Sequence, residues 1–388
     1  MANLYDFLYN IYMIYLDNNA TTYIAPEILK AIGNTDFYGN ASSMHQSGRK
    51  AHQAIEEARE NIAELIGGKA ESVIFTSGAS EANNTVFKIP QKGRILTTTI
   101  EHPSIRESVK YLKSLGKPVT DISVDNTGRV KLDELENELK KGDVSLVSIM
   151  AANNESGTIQ PIKEASELAH KYGAHFHTDA TQAIGKVDIN VQRDHIDYLS
   201  MSGHKFYAPK GVGVLYVAKN APFETFMHGG HQENGRRAGT YNTPAIYGMG
   251  LAAKMVMKDR ESENEHLWKM REKLRVGIEK SIDDIIINSP KERENCLPGT
   301  LNVSFPKAEG ESILLLLDNE GICVSTGSAC ATGSLEPSYV LLAQGVPIEA
   351  AHGSIRFSFG RYNTEDEVDK VLDVLPQIIK RLRAWSTR

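Results

Sequence analysis

The sequence predicts an α/β protein, with a large domain built on a mostly parallel sheet and a smaller α+β domain behind it. Three observations support this. Short apolar runs alternate with helix-period segments as far as about Asn220, the signature of strands joined by crossover helices. From about Ala252 the texture changes to a long charged helix pattern followed by sparser strand candidates. At 388 residues the chain exceeds one ordinary core. The expected division is 15–251 and 252–388, with 1–14 joined to the second domain.

Taken in order, Ala51, Ala54, Ile55, Ala58, Ile62 and Leu65 keep helical spacing until Gly67-Gly68 ends the run. Strand candidates follow at Val73 to Phe75, Ile95-Leu96, Val144 to Met150, Ala174 to His177, Ile196 to Met201 and Val212 to Val217. Helical patterns such as Ile162 to Tyr172 lie between them. In the second part the helix pattern reaches Lys280, strands are expected at Leu301 to Phe305 and Ile355 to Phe359, and Val368 to Leu382 closes the chain as a helix. No repeat, low-complexity tract or Pro/Ser-rich linker separates the two parts, so they are expected to pack closely.

Composition excludes several classes. The chain is 41% hydrophobic and 24% charged, as a globular protein is, and its net charge of −6 offers no basic field to nucleic acid. No apolar stretch reaches the ~20 residues of a membrane helix. Met1 to Tyr12 has no lysine or arginine, unlike a secretory or transit leader, which makes cytoplasmic residence the expectation. Cys296, Cys323 and Cys330 cannot build a disulfide framework or a Cys-x-x-Cys pair, so structural zinc is not expected.

In a parallel sheet, ligands gather where strands end, and the chemistry-bearing residues stand there. Lys205, in Ser202-Gly203-His204-Lys205, sits between two apolar runs. A lysine partly removed from water there is a nucleophilic amine able to take an aldehyde cofactor such as pyridoxal phosphate; the plain alternative is a surface turn. Asp179, in His177-Thr178-Asp179-Ala180-Thr181-Gln182, can hold a pyridine nitrogen protonated or simply cap a helix. Thr76-Ser77-Gly78-Ala79-Ser80-Glu81 turns a strand into a helix, whose free N–H groups suit a phosphate or whose start is capped by Ser77 or Ser80.

His102, before Pro103, is placed to stack on an aromatic group and move protons, or serves structure alone. Asn154, in Asn153-Asn154-Glu155, can bond a phenolic oxygen, or the segment is an Asx turn. Arg356 alternates with Ile355, Phe357 and Phe359, so it can clamp a carboxylate or sit in a surface ion pair. Cys330 lies among small residues in Ser325 to Ser334, an exposed-loop composition with a reactive thiol. His175 and His177 share a strand face, but no carboxylate or cysteine completes a metal set.

With these residues in view, the chain resembles the cysteine desulfurases of the NifS/IscS type. The resemblance rests on Tyr15-Leu16-Asp17-Asn18-Asn19-Ala20-Thr21-Thr22, the Ser202 to Lys205 tetrapeptide and Gly229-Gly230-His231-Gln232-Glu233. Arg236-Arg237-Ala238-Gly239-Thr240 adds to it, as does Ser328-Ala329-Cys330 followed by Ser334-Leu335-Glu336-Pro337-Ser338. It implies a pyridoxal-phosphate enzyme of fold type I acting as a homodimer. Lys205 would be the Schiff-base lysine, Asp179 the partner of the ring nitrogen and His102 the stacking residue. Asn154 and Gln182 would touch the ring substituents. Ala79, Ser80, Ser202 and His204 would meet the phosphate, with Thr240 arriving from the second subunit.

Arg356 would hold the carboxylate of L-cysteine, with Asn154 beside it, and Cys330 would take the sulfur as persulfide. An iron–sulfur scaffold or another acceptor protein would receive it. Ser80 stands where the family usually has threonine, and Ala41 where proline is common. The first twelve residues precede the family's usual start, making Met13 an alternative initiator, and the chain ends slightly short of members whose tails dock a scaffold. A selenocysteine lyase or aminotransferase on the same fold is the neighbouring reading. A non-catalytic binding protein is the distant one, opposed by the intact Lys205, Asp179 and Cys330.

Overall fold

The computed structural model describes residues 13–34, 36–89, 92–326 and 336–386. Seven strands form the main sheet: β2 (Val73–Thr76), β3 (Arg94–Thr98), β4 (Val119–Ile122), β5 (Val144–Ser148), β6 (His175–Asp179), β7 (Tyr198–Ser202) and β8 (Gly213–Val217). β1 (Ile14–Tyr15) lies elsewhere. The spatial order is β2-β8-β7-β6-β5-β3-β4. Every neighbouring pair is parallel except those of β8, which runs antiparallel to both β2 and β7.

The strands read as near-continuous apolar runs because both faces of the sheet are covered. Val73, Phe75, Leu96, Val147, Leu199 and Val214 face one core, and the residues between them, Ile74, Ile95, Leu146, Tyr198 and Leu215, face another. The second face is covered by α3 (Ala79–Lys88) and α4 (Pro103–Ser114), through Ala82, Val86, Phe87, Ile105, Val109 and Leu112. The first is covered by α1 (Pro26–Gly33), α2 (Gln46–Leu65), α5 (Leu132–Lys140), α6 (Ile162–Lys171) and the first half of α7 (Thr243–Ser281).

β4 escaped the sequence reading because Val-Thr-Asp-Ile is a half-buried edge strand with no sustained apolar run. Helix α7 also starts before the expected charged pattern. Asn242 caps it, with its side chain accepting from Ala245 N–H, and Pro244 occupies the first turn. Its early turns bury Ala245, Ile246, Met249, Ala252 and Ala253 against the main sheet, so they carry few charges.

Leu267, Met270, Leu274 and Ile278, further along α7, belong to a separate core. That core is built on an antiparallel sheet of order β12 (Ser325–Thr326), β13 (Ser354–Ser358), β10 (Thr300–Ser304) and β9 (Ile286–Ile287), while β11 (Ile322–Cys323) pairs with β1. Helices α8 (Gly310–Asn319) and α11 (Glu365–Ser386) pack on it, and α9 (Tyr339–Ala343) and α10 (Ile348–His352) lie between them in the chain. Leu16 is fully buried in this second core, so the segment after β1 passes between the two cores. Among the described residues no helix is long and apolar enough to cross a membrane.

Candidate functional site

The ends of β2, β5, β6 and β7 and the segment after β1 meet at a cavity of about 520 Å³. Its lining includes Ala79, Ser80, His102, Asn154, Asp179, Gln182, Ser202, His204, Lys205 and Arg356. Thus residues far apart in sequence share one space. Thr240 lines a smaller neighbouring cavity with Gln232, Glu233 and Arg237. Cys330 lies outside the described residues.

Strand β2 enters α3 through Gly78, whose backbone (φ 157°, ψ 177°) is a conformation few residues but glycine adopt. Gly78 is itself the N-cap, and no side chain caps the helix. Glu81 instead closes the preceding turn by accepting from Ser77 N–H at 2.7 Å. Arg237 holds the same carboxylate at 2.9 and 3.0 Å. Burial works to raise the Glu81 pKa, but Arg237 and Ser77 outweigh it and hold the carboxyl below its usual range. Gly213 of β8 lies so close that a Cβ there would stand 2.6 Å from Gly78 Cα. The uncapped helix start therefore faces the cavity across a tight strand packing, a ready anion cradle.

At the end of β6, Asp179 accepts from Thr181 N–H at 3.0 Å and from Asn83 Nδ2 at 2.7 Å. No helix follows, so the carboxylate is not a helix cap. Lys205 Nζ donates to the carbonyls of Asn19 (2.6 Å) and Ala20 (2.7 Å). His204 Nδ1 meets Thr21 Oγ1 at 3.1 Å, and burial, with Lys205 and Lys210 nearby, lowers its pKa to about 4. His102 caps α4, its Nδ1 accepting from Ser104 N–H at 3.2 Å. Burial, with Lys205 nearby, lowers its pKa against the pull of Asp179.

The Asx-turn reading of Asn153-Asn154-Glu155 holds. Asn153 Oδ1 accepts from the N–H groups of Glu155 (2.8 Å) and Ser156 (3.0 Å), which is the Asx turn, and that turn presents Asn154 to the cavity. Arg356 is buried rather than in a surface pair. Its guanidinium donates to Asn154 O at 3.0 Å and Asp17 Oδ1 at 2.7 Å, and its Nε has no partner among the described residues. Of the two described thiols, Cys296 is buried and its pKa is pushed up to about 11, while Cys323 is half-buried and also raised by burial. Neither lines the cavity.

Two kinds of residue were missed. Asn19 binds both sides of the site: its carbonyl accepts from Lys205 and from Gln182 Nε2 (2.8 Å), and its amide donates to Asn154 O and Thr300 Oγ1. The run Asp17-Asn18-Asn19 after a short strand was the available signal. Glu233, paired with Arg59, anchors the Gly229 to Thr240 segment, and only its place in the Gly229 to Glu233 stretch hinted at a role. His177, named above for metal, has its ring nitrogens engaged by Ser148 Oγ and Ser200 Oγ. Among the described residues no group of three or more His, Cys, Asp or Glu is placed to hold a metal.

An amine, a carboxylate, a buried guanidinium and an uncapped helix start around one cavity define a polar small-molecule site at the strand ends of an α/β enzyme. The chain belongs to the aminotransferase class-V family, whose profile matches residues 14–371. It is similar to "Cysteine desulfurase IscS" of Dictyoglomus turgidum, 47% identical over 381 residues that cover 96% of each chain. Among solved structures, a "NIFS-like protein" superposes with a TM-score of 0.88 at 38% identity, covering 95% of this chain and all of the other. "SspA in complex with cysteine" superposes with a TM-score of 0.78 at 34% identity, covering 90% of this chain and all of that one.

Proposed function

We propose that this enzyme is a pyridoxal-phosphate-dependent cysteine desulfurase. The observation that carries the reading is that Lys205, Asp179, Arg356 and the Gly78 helix start line one cavity. The wall fits the cofactor: Gln182 Oε1 and Thr181 Oγ1 are buried without a partner among the described residues, and the start of α3 lacks a cap. Lys205 would hold the aldehyde carbon, Asp179 the ring nitrogen and His102 a ring face, with Asn154 and Gln182 on the ring substituents. Ala79, Ser80, Ser202 and His204 would hold the phosphate, joined by Thr240 of a second copy in a homodimer.

When bound, pyridoxal phosphate supplies an electron-accepting ring that labilises bonds at the substrate Cα. The chain's own groups do the rest. Arg356, kept rigid by Asp17 and Asn154 O, grips the L-cysteine carboxylate with its fork. Lys205 Nζ, once freed, moves the proton at Cα. The Cys330 thiolate attacks the substrate sulfur: a new S–S bond forms, the substrate's C–S bond breaks, and protonation of that carbon leaves L-alanine. Cys330 keeps the sulfur as persulfide for an acceptor protein, an iron–sulfur scaffold among the candidates, and the enzyme works in the cytoplasm.

The test is Cys330→Ala. The variant should keep the cofactor's absorbance and lose the protein-bound persulfide that mass spectrometry detects after L-cysteine is added. Persulfide formation undiminished in that variant sinks the assignment.

A further inference from the structure

Helix α3, whose start faces the cavity, carries Asn83 one turn further in, with no solvent exposure. Its Nδ2 is 2.7 Å from Asp179 Oδ2 and 2.9 Å from Ser104 Oγ. A carboxylate only accepts, so the amide nitrogen, not its oxygen, must face Asp179. Both hydrogens of that nitrogen are then committed, one to Asp179 and one to Ser104.

Because Ser104 Oγ accepts from Asn83, its own hydroxyl hydrogen is left for His102 Nδ1, 2.9 Å away. Ser104 N–H approaches the same nitrogen at 3.2 Å. A neutral imidazole that accepts at Nδ1 carries its proton on Nε2. We propose that Asn83 is a positioning residue that steadies Asp179 and, through the Ser104 hydroxyl, adds a second donor to His102 Nδ1 beside Ser104 N–H, which orients the ring with its proton on Nε2. One helix thereby sets the phosphate cradle at its start and the two groups assigned to the ring one turn later. The inference rests on the reading of Asp179 and His102 given above and adds a direction to it. With that proton in place, His102 can donate a hydrogen bond from Nε2 into the cavity, but it cannot take a proton there. Activation of the Cys330 thiol therefore falls to another group.

The test is Asn83→Leu, which has nearly the same volume and no donors. In ¹⁵N-histidine-labelled protein without cofactor, with the His102 signals assigned by their loss in His102→Gln, wild type should show the Nε2–H tautomer. Asn83→Leu should keep that tautomer, because Ser104 N–H still donates to Nδ1, but should shift the His102 Nδ1 signal as the Ser104 hydroxyl, no longer held by Asn83, turns away. Losing a hydrogen bond to a charged group should also weaken pyridoxal phosphate binding roughly tenfold or more. A folded Asn83→Leu with wild-type His102 signals and unchanged cofactor affinity overturns the proposal. If Asn83→Leu does not fold, Ser104→Ala carries the test: it removes the hydroxyl but keeps the backbone N–H, so it should shift the His102 Nδ1 signal, and an unchanged signal refutes the link through Ser104. Wild-type protein that takes up no pyridoxal phosphate would sink the underlying reading instead.

Discussion

Replacing Glu233 by alanine removes one partner of an ion pair that water barely reaches. The side chains of Arg59 and Glu233 are 8% and 1% exposed, and they meet at 2.7 and 2.9 Å. Glu233 also accepts from Phe75 N–H in β2 at 3.0 Å. Burial opposes the charge on Arg59, yet the Glu233 carboxylate more than offsets it and raises the guanidinium pKa. Without Glu233 the guanidinium stays buried with only the more exposed Glu56 carboxylate, 3.2 Å away, as counter-charge, and a backbone N–H in the main sheet loses its acceptor. Removing one member of such a pair costs about 3–5 kcal/mol, which for a large domain lowers Tm by about 6–20 °C. Thermal unfolding followed by circular dichroism reads this directly. The double variant Arg59→Met/Glu233→Met should recover much of the loss, since an apolar pair avoids the desolvation penalty. A Glu233→Ala protein that melts with wild type, or a double variant no more stable than the single, would refute the argument.

Arg356→Lys keeps a positive charge but not the fork held by Asn154 O and Asp17. KM for L-cysteine should rise roughly tenfold or more with the cofactor absorbance unchanged, and an unaltered KM in steady-state assays would remove Arg356 from carboxylate binding. Burial, against hydrogen bonds from Thr98 and Met150, raises the Glu101 pKa to about 8. The folded protein then holds a proton that the unfolded chain releases near pH ~4.3, so this stability is full below that value and lost as pH rises towards 8. Glu101→Gln has no such loss, so its urea midpoint should gain on wild type between about pH 5 and pH 8. An equal difference at both pH values contradicts the shift.

Much of the site was legible because the sheet does the sorting. Lys205, Asp179, Asn154 and Gly78 all stand where an apolar run stops, and parallel strands bring such ends together. Arg356 was legible from alternation alone, since Ile355, Phe357 and Phe359 bury in the second core. What stayed hidden depends on contacts between distant segments. Arg59 and Glu233 are 174 residues apart, and Asn83 is 96 from Asp179. No local period marks such pairs, and within its own helix Asn83 reads as an ordinary polar residue. The two-residue strands β1, β9, β11 and β12 are too short to show a period at all.

The segment after β1 decides how the two cores cooperate. Asp17 holds Arg356, Asn18 donates to Ser358 O, and the Asn19 side chain reaches Thr300, all in the antiparallel sheet. The carbonyls of Asn19 and Ala20 meanwhile hold Lys205, and Thr22 accepts from Tyr207 N–H just beyond it. The guanidinium assigned to the substrate and the amine assigned to the chemistry are therefore tied to one short stretch of backbone. Arg356 and Lys205 are in this way tied to one another through a segment whose backbone groups no side-chain motif would announce.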